Sequence, residues 1–237
     1  MKYKLIMIIL VVIISLMHYN CAPSLRSAKI QPGFSTDGVL LGTVSSVSAT
    51  DEQGNDEDTD VNFDSPIPVD VKFRYGWERK DNFGFELTGG LDGQMGAYLE
   101  LPGTDAFHWG IGAETNLWIL SLAGNIDEEE DDVANFLRDH NYTAFLMAGY
   151  FPSPEFEISV GLKYQPFLKS LIDAISNVGV DVSGTIPLSY LIDGRYMFDD
   201  NWGLMLGGEI FNLTFEGEGK AEESMTGGYI YLGLTYR

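Results

Sequence analysis

From Ile67 onward the chain alternates between apolar and polar residues with period two. Ile67, Val69, Val71, Phe73, Tyr75 and Trp77 fall on one parity, and Pro68, Asp70, Lys72, Arg74, Gly76 and Glu78 on the other. A repeat of two is that of an extended strand with unlike faces, not the 3.6 of a helix. Phe83, Phe85 and Leu87 alternate with Glu86 and Thr88 in the same way. So do Phe156, Ile158, Val160, Leu162 and Tyr164 with Glu157, Ser159, Lys163 and Gln165, and Leu188, Tyr190, Ile192, Tyr196 and Phe198 with Ser189, Asp193 and Arg195. Weaker versions at about 35–48, 94–101, 106–120, 142–152, 202–214 and 226–237 bring the expectation to about ten strands, with eight and twelve as bounds. Glycines such as Gly110, Gly112, Gly207 and Gly208 fit a strongly curved sheet. No stretch reads as a long amphipathic helix.

The connections alternate in length. Those near Arg79 to Asn82, Pro102 to Asp105, Pro152 to Pro154 and Asp199 to Asn201 are short. Those at about 49–66, 121–141, 166–185 and 215–225 are long and mostly acidic, and only Leu91 to Gly93 is tight on that side. Short turns at one end and long loops at the other are the signature of a transmembrane barrel of outer-membrane type, with the short turns periplasmic. Aromatic residues collect beside the short turns: Tyr75, Trp77, Phe83, Phe107, Trp109, Tyr150, Phe151, Phe156, Tyr196, Phe198 and Trp202. That is the placement of an interfacial girdle.

The same alternation suits a soluble lipocalin-like barrel with its apolar face inward. The strand length, the girdle and the loop asymmetry favour the membrane form, since strands of roughly 10 tilted residues span the hydrocarbon and closure satisfies the backbone there. The expected fold is therefore all-β: a closed, antiparallel, up-and-down transmembrane β-barrel. Its lumen would receive Asp70, Lys72, Arg74, Glu86, Glu100, Glu114, Glu157, Lys163, Asp193, Arg195 and Glu209.

The last strand, Tyr229-Ile230-Tyr231-Leu232-Gly233-Leu234-Thr235-Tyr236-Arg237, resembles the terminal strand by which bacterial outer-membrane proteins are recognised for assembly, although that family commonly ends in Phe. The mature region as a whole resembles small outer-membrane β-barrels. The resemblance implies outer-membrane lipid and the assembly machinery as partners, and implies no particular activity.

Lys2 and Lys4 precede an apolar run from Leu5 to Met17, with nothing acidic before Asp37. The run is too short for a spanning helix and reads as a secretory signal peptide over 1–20. Cys21, the single cysteine, stands where a lipoprotein would be acylated, and His18-Tyr19-Asn20-Cys21 resembles a relaxed form of the lipoprotein signal. Residues 21–34 would then be a periplasmic N-terminal segment and 35–237 the barrel. Without Lys2 and Lys4 the net charge of −21 becomes −23. Such a surface disfavours nucleic acid as a partner.

Of the three histidines, only His140, beside Asp139 and the acidic run 127–132, stands where a surface hydrolase would need it. His108 falls at the periplasmic edge and His18 in the leader. No G-x-S-x-G, H-E-x-x-H or P-loop motif occurs, and no cofactor or catalytic residue is expected. The acidic clusters 51–64, 127–132 and 216–223 are candidate collectors of divalent cations, without the spacing of an EF-hand loop or an assigned metal site. Phe167, Leu168, Leu171, Ile172 and Ile175 recur at helical spacing in a long loop, where a short helix could lie on the membrane or cap the mouth. The sequence thus points to a non-enzymatic barrel with acidic extracellular loops and a structural or surface-interacting role. A narrow channel or carrier for a small solute, a lipid-anchored soluble lipocalin-like carrier and a surface hydrolase are the alternatives.

Overall fold

Why so many apolar strands form a single stable sheet is answered by closure: the last strand pairs with the first, so the wall returns on itself. The computed structural model describes residues 27–49, 60–64, 69–80, 83–117, 121, 141–166, 188–216 and 222–237, with side chains omitted for 43–49, 60–64, 78–80, 212–216 and 222–226. Its strands are β1 (Gly33–Ala49), β2 (Asp60–Asp64), β3 (Val69–Lys80), β4 (Phe83–Gly90), β5 (Gln94–Leu101), β6 (Phe107–Asn116), β7 (Tyr142–Ser153), β8 (Phe156–Tyr164), β9 (Leu188–Met197), β10 (Trp202–Glu216) and β11 (Glu222–Tyr236). All neighbours are antiparallel, and β11 meets β1 from Thr36↔Tyr236 to Ala49↔Glu223.

Both β2 and β3 pair with β1, β3 along Gly33 to Leu40 and β2 along Thr43 to Val47. They are two segments of one wall position, so eleven strands make a ten-position barrel. A strand inside the expected loop at 49–66 is a departure from the sequence reading. β1 runs on to Ala49, and its backbone groups there need partners. The connection expected at 215–225 shortens to 217–221, because β10 and β11 pair as far as Glu216↔Glu222. The strand expected to reach about 120 stops at Asn116, where Asn141 closes the ladder: its Nδ2 donates to the Asn116 carbonyl at 2.7 Å, and its Oδ1 accepts from the Asn116 amide at 3.2 Å.

Alternation decides which face is which. On β4, Phe83, Phe85 and Leu87 are 46, 43 and 44% exposed, while Glu86 is 3%. The same inversion holds on β3, with Phe73, Tyr75 and Trp77 outside and Asp70, Lys72 and Arg74 buried, and on β8 and β9. An apolar band on every side exceeds the roughly 300–600 Å² of the largest patch on an ordinary soluble monomer. Apolar-out and polar-in is the arrangement of a membrane-spanning barrel of the outer-membrane type, and the lipocalin-like alternative, which needs the reverse, is set aside.

The interior is not wholly polar. Val39, Leu41, Met205 and Tyr231 pack together on one side, and Ala28, Ile30, Tyr98, Phe145 and Met147 on the other. The glycines assigned to curvature have a more specific task. Gly112 faces Phe145 across the β6–β7 ladder and Gly207 faces Tyr231 across β10–β11, and a Cβ at either would collide with the facing ring. Gly110 lies under Tyr98 in the same way, where an added Cβ would stand 2.7 Å from the hydroxyl. Inward aromatic rings are thus accommodated over strips of bare backbone.

Candidate functional site

The lumen is built by every second residue of the wall. Asp70, Lys72 and Arg74 enter from β3, Glu86 from β4, Glu100 from β5, Glu114 from β6, Glu157 and Lys163 from β8, Asp193 and Arg195 from β9, and Glu209 from β10, and every one of them is buried. Three groupings result.

The largest centres on Asp37 of β1. Its Oδ2 accepts from Arg74 Nη2 at 2.6 Å on the neighbouring β3 and from Arg195 Nη1 at 3.1 Å. Arg195 Nε donates to Asp193 Oδ1 at 2.8 Å, and the Tyr231 hydroxyl donates to Asp193 Oδ2 at 2.9 Å. The second grouping holds Lys163 Nζ 3.2 Å from Glu209 Oε2, with Gln165 Nε2 donating to Glu209 Oε1 at 3.0 Å and to Ser189 Oγ at 3.1 Å. In the third, near the long-loop end, Lys72 Nζ lies 2.6 Å from Asp92 Oδ2, 2.7 Å from Gln94 Oε1 and 3.6 Å from Asp70 Oδ2. Charges held in so confined a space persist because they are paired, and removing one partner leaves the other buried and uncompensated. Among the described lumen residues, carboxylates still outnumber Lys and Arg.

At the short-turn end the chain itself enters the barrel. Residues 27–31 lie inside the mouth, and Gly33, at φ 95°, turns the chain out of the lumen into β1. The Ser27 hydroxyl donates to Glu157 Oε2 at 2.6 Å, the Ala28 amide to Glu157 Oε1 at 2.8 Å and the Ile30 amide to Glu100 Oε2 at 3.0 Å. The Tyr98 hydroxyl donates to the Ala28 carbonyl at 3.0 Å. His108, expected at the edge of the barrel, is buried there with Nδ1 2.5 Å from Glu100 Oε1 and the edge of its ring against Phe151.

Outside, Tyr75, Trp77, Phe107, Trp109, Tyr150, Tyr196 and Trp202 are exposed at the short-turn ends of their strands, with Phe156 half-buried among them. They interlock as Tyr75–Trp77 and Trp202–Tyr236 pairs at 5.0 Å between ring centres, and Trp109 Nε1 donates to the Pro102 carbonyl at 2.9 Å. Tyr142, Tyr164 and Tyr190 are exposed at the opposite ends, in the position of a second girdle.

Cys21, His140, the helical-spacing residues from Phe167 to Ile175 and the acidic run 127–132 lie outside the described residues. Of the other two acidic clusters, only the strand residues 60–64, 216 and 222–223 are described, and these without side chains. Among the described residues no cluster of three or more His, Cys, Asp or Glu side chains could hold a metal ion. Asp37, Tyr98, Tyr231 and residues 27–31 were not anticipated as lumen groups. Asp37 was legible in principle, as a lone charge in an otherwise uncharged strand.

No protein-family model matches this chain, and no curated protein does. Among solved structures it is similar to the outer-membrane protease OmpT of Escherichia coli, with 11% identity over 89% of this chain and 99% of that one and a TM-score of 0.39. It is also similar to the toluene transporter TodX of Pseudomonas putida, with 7% identity, 89% and 91% coverage and a TM-score of 0.37. A third is Ail, the attachment invasion locus protein of Yersinia pestis, with 10% identity, 87% and 99% coverage and a TM-score of 0.30. A protease, a transporter and an attachment protein at such scores say nothing of what this chain does.

Proposed function

We propose that this chain is a non-enzymatic outer-membrane barrel with a structural and surface-interacting role, which holds acidic loops outside the cell on a wall that does not conduct. The observation that carries this reading is Asp37, tied to Arg74 from the adjacent strand and to Arg195 from across the lumen. An interior cross-linked in this way resists widening, and its charges serve one another instead of a passing solute.

In this reading residues 1–20 are a signal peptide, Cys21 is acylated, the N-terminus is periplasmic and the long loops are extracellular. Outer-membrane lipid meets the apolar wall, the assembly machinery reads the last strand, and divalent cations collect on the acidic loops. The test is planar-bilayer recording on the refolded mature chain. Silence is expected, and discrete, reproducible conductance steps would overturn the scaffold. The excess of carboxylates in the lumen favours one second reading, a narrow cation-preferring pore, which such steps with cation selectivity would establish.

A further inference from the structure

We infer that the short-turn mouth is a binding site for a short peptide bent at its second and third residues, filled in this chain by its own residues 27–31, which close that end of the barrel. The inference does not depend on whether the barrel conducts.

Recognition is directed at backbone. Alternate amides of the segment, those of Ala28 and Ile30, donate to two carboxylates, Glu157 and Glu100, that stand on different strands. The Tyr98 hydroxyl takes the carbonyl of Ala28. The segment bends at Ala28 and Lys29, where the Lys29 amide donates to Ser27 Oγ at 3.2 Å, so its amides reach carboxylates on different strands, and N–H bonds to carboxylates are among the stronger hydrogen bonds. Both carboxylates are oriented in advance: Ser159 Oγ donates to Glu157 Oε1 at 2.6 Å, and Glu100 is held against His108.

The wall is cut to receive side chains as well. A Cβ added at Gly149 would stand 2.7 Å from Ala28 Cβ, and one at Gly84 would stand 3.0 Å from Ile30 Cδ1. At Gly76 an added Cβ would run into the Gln31 carbonyl. Three glycines on β3, β4 and β7 thus face the segment where any larger residue would displace it. Residues 27–31 belong to no strand, and the single bridge nearby is Pro32↔Gly76. The segment can therefore leave without breaking a ladder of the barrel wall. The site selects a small residue at the position of Ala28 and an aliphatic one at that of Ile30. Lys29, between them, is only half-buried and directs its ammonium toward the Phe151 ring at 5.7 Å.

The test uses thiol access from that mouth. In a Cys21→Ser background, Ser159→Cys puts a single reporter beneath Ala28, its thiol standing in every arm where the hydroxyl met Glu157 so that only the segment differs between arms, and Ser189→Cys puts a control at the far end of the lumen. Each is compared in the native segment and in the Ala28→Trp, Ile30→Asp variant, whose barrel wall is unchanged. A membrane-impermeant maleimide should modify the 159 reporter at least about tenfold more slowly with the native segment, while the control is unaffected. A heat-modifiable gel shift confirms folding in each case, and Glu100→Gln with Glu157→Gln offers a milder variant that should give an intermediate rate.

A synthetic peptide with the sequence of residues 27–33, added to the opened variant, should restore protection, and the same peptide with Asp in place of Ile should not. Equal labelling with native and variant segments would overturn closure of the mouth. Protection lost but not restored by any concentration of peptide would overturn the binding site. Neither result bears on the conductance that tests the scaffold.

Discussion

Arg195 on β9 and Asp37 on β1 meet across the lumen with 3.1 Å between Nη1 and Oδ2, although β10 and β11 separate them in the wall. Arg74 reaches the same oxygen from the other side at 2.6 Å. One carboxylate is therefore shared by two guanidinium groups that are 1 and 4% exposed, and Asp193 supplies Arg195 with a second acid.

Replacing it should be costly. Asp37→Ala leaves both arginines facing only the remaining lumen acids, and a loss of about 3–5 kcal/mol is expected from the breaking of a buried ion pair. Urea titration of the protein folded in phospholipid vesicles measures it. A change below about 1 kcal/mol would show that the lumen is wet enough to screen these charges.

The outward face makes a depth-dependent prediction. Ile192, 58% exposed in the middle of β9, should lie in hydrocarbon, so Ile192→Arg is expected to destabilise by about 2–4 kcal/mol. Trp202, at the girdle, should tolerate Trp202→Arg at about 0–1 kcal/mol of charge penalty apart from its lost ring contacts. Equal penalties in the same vesicle assay would contradict a membrane band centred on the strands.

Ring-over-glycine packing can be tested by compensation. Gly112→Val places branched carbon where the Phe145 ring sits, and overpacking of this kind costs about 1–3 kcal/mol. Adding Phe145→Leu should recover part of the loss. If the pair is merely additive, the ring and the glycine do not share the space ascribed to them.

Gly33 turns the chain out of the mouth at φ 95°, a region that an L side chain enters at a cost of roughly 1–2 kcal/mol. Gly33→Ala should lower the unfolding free energy by that amount and should raise the labelling of a Ser159→Cys reporter, because the strain falls where the segment joins β1. No change in either quantity would place the turn elsewhere.

Much of this architecture could be read from spacing alone. Wherever one parity was consistently apolar, as from Val69 to Trp77 or from Ile158 to Tyr164, the division into an apolar and a polar face followed directly. β1 was harder, because Val39 and Leu41 share the inward parity with Ser35 and Asp37 and pack on Met205 and Tyr231, so the polar-in rule fails at half of the inward positions described for this strand. β2 was hidden within an acidic stretch, since its existence depends on how far β1 extends and not on its own hydropathy.

The list of lumen charges came from parity, but their partners did not. Nothing local to Asp37 announces Arg195, 158 residues away, and the pairing exists only because the wall closes through β11 and β1 and brings β9 within three positions of β1. The docking of residues 27–31 was equally out of reach. It depends on three glycines and two carboxylates drawn from five different strands, each unremarkable in its own segment.

What the sequence by itself determined was the period: side chains on an extended chain alternate faces, so an apolar parity and a polar parity define a wall with one oily and one charged side wherever the strands pair. Which side faced outward, which charges met and what closed the mouth were decided only by the tertiary structure. Closure sets curvature and register, and register places distant residues within hydrogen-bond reach.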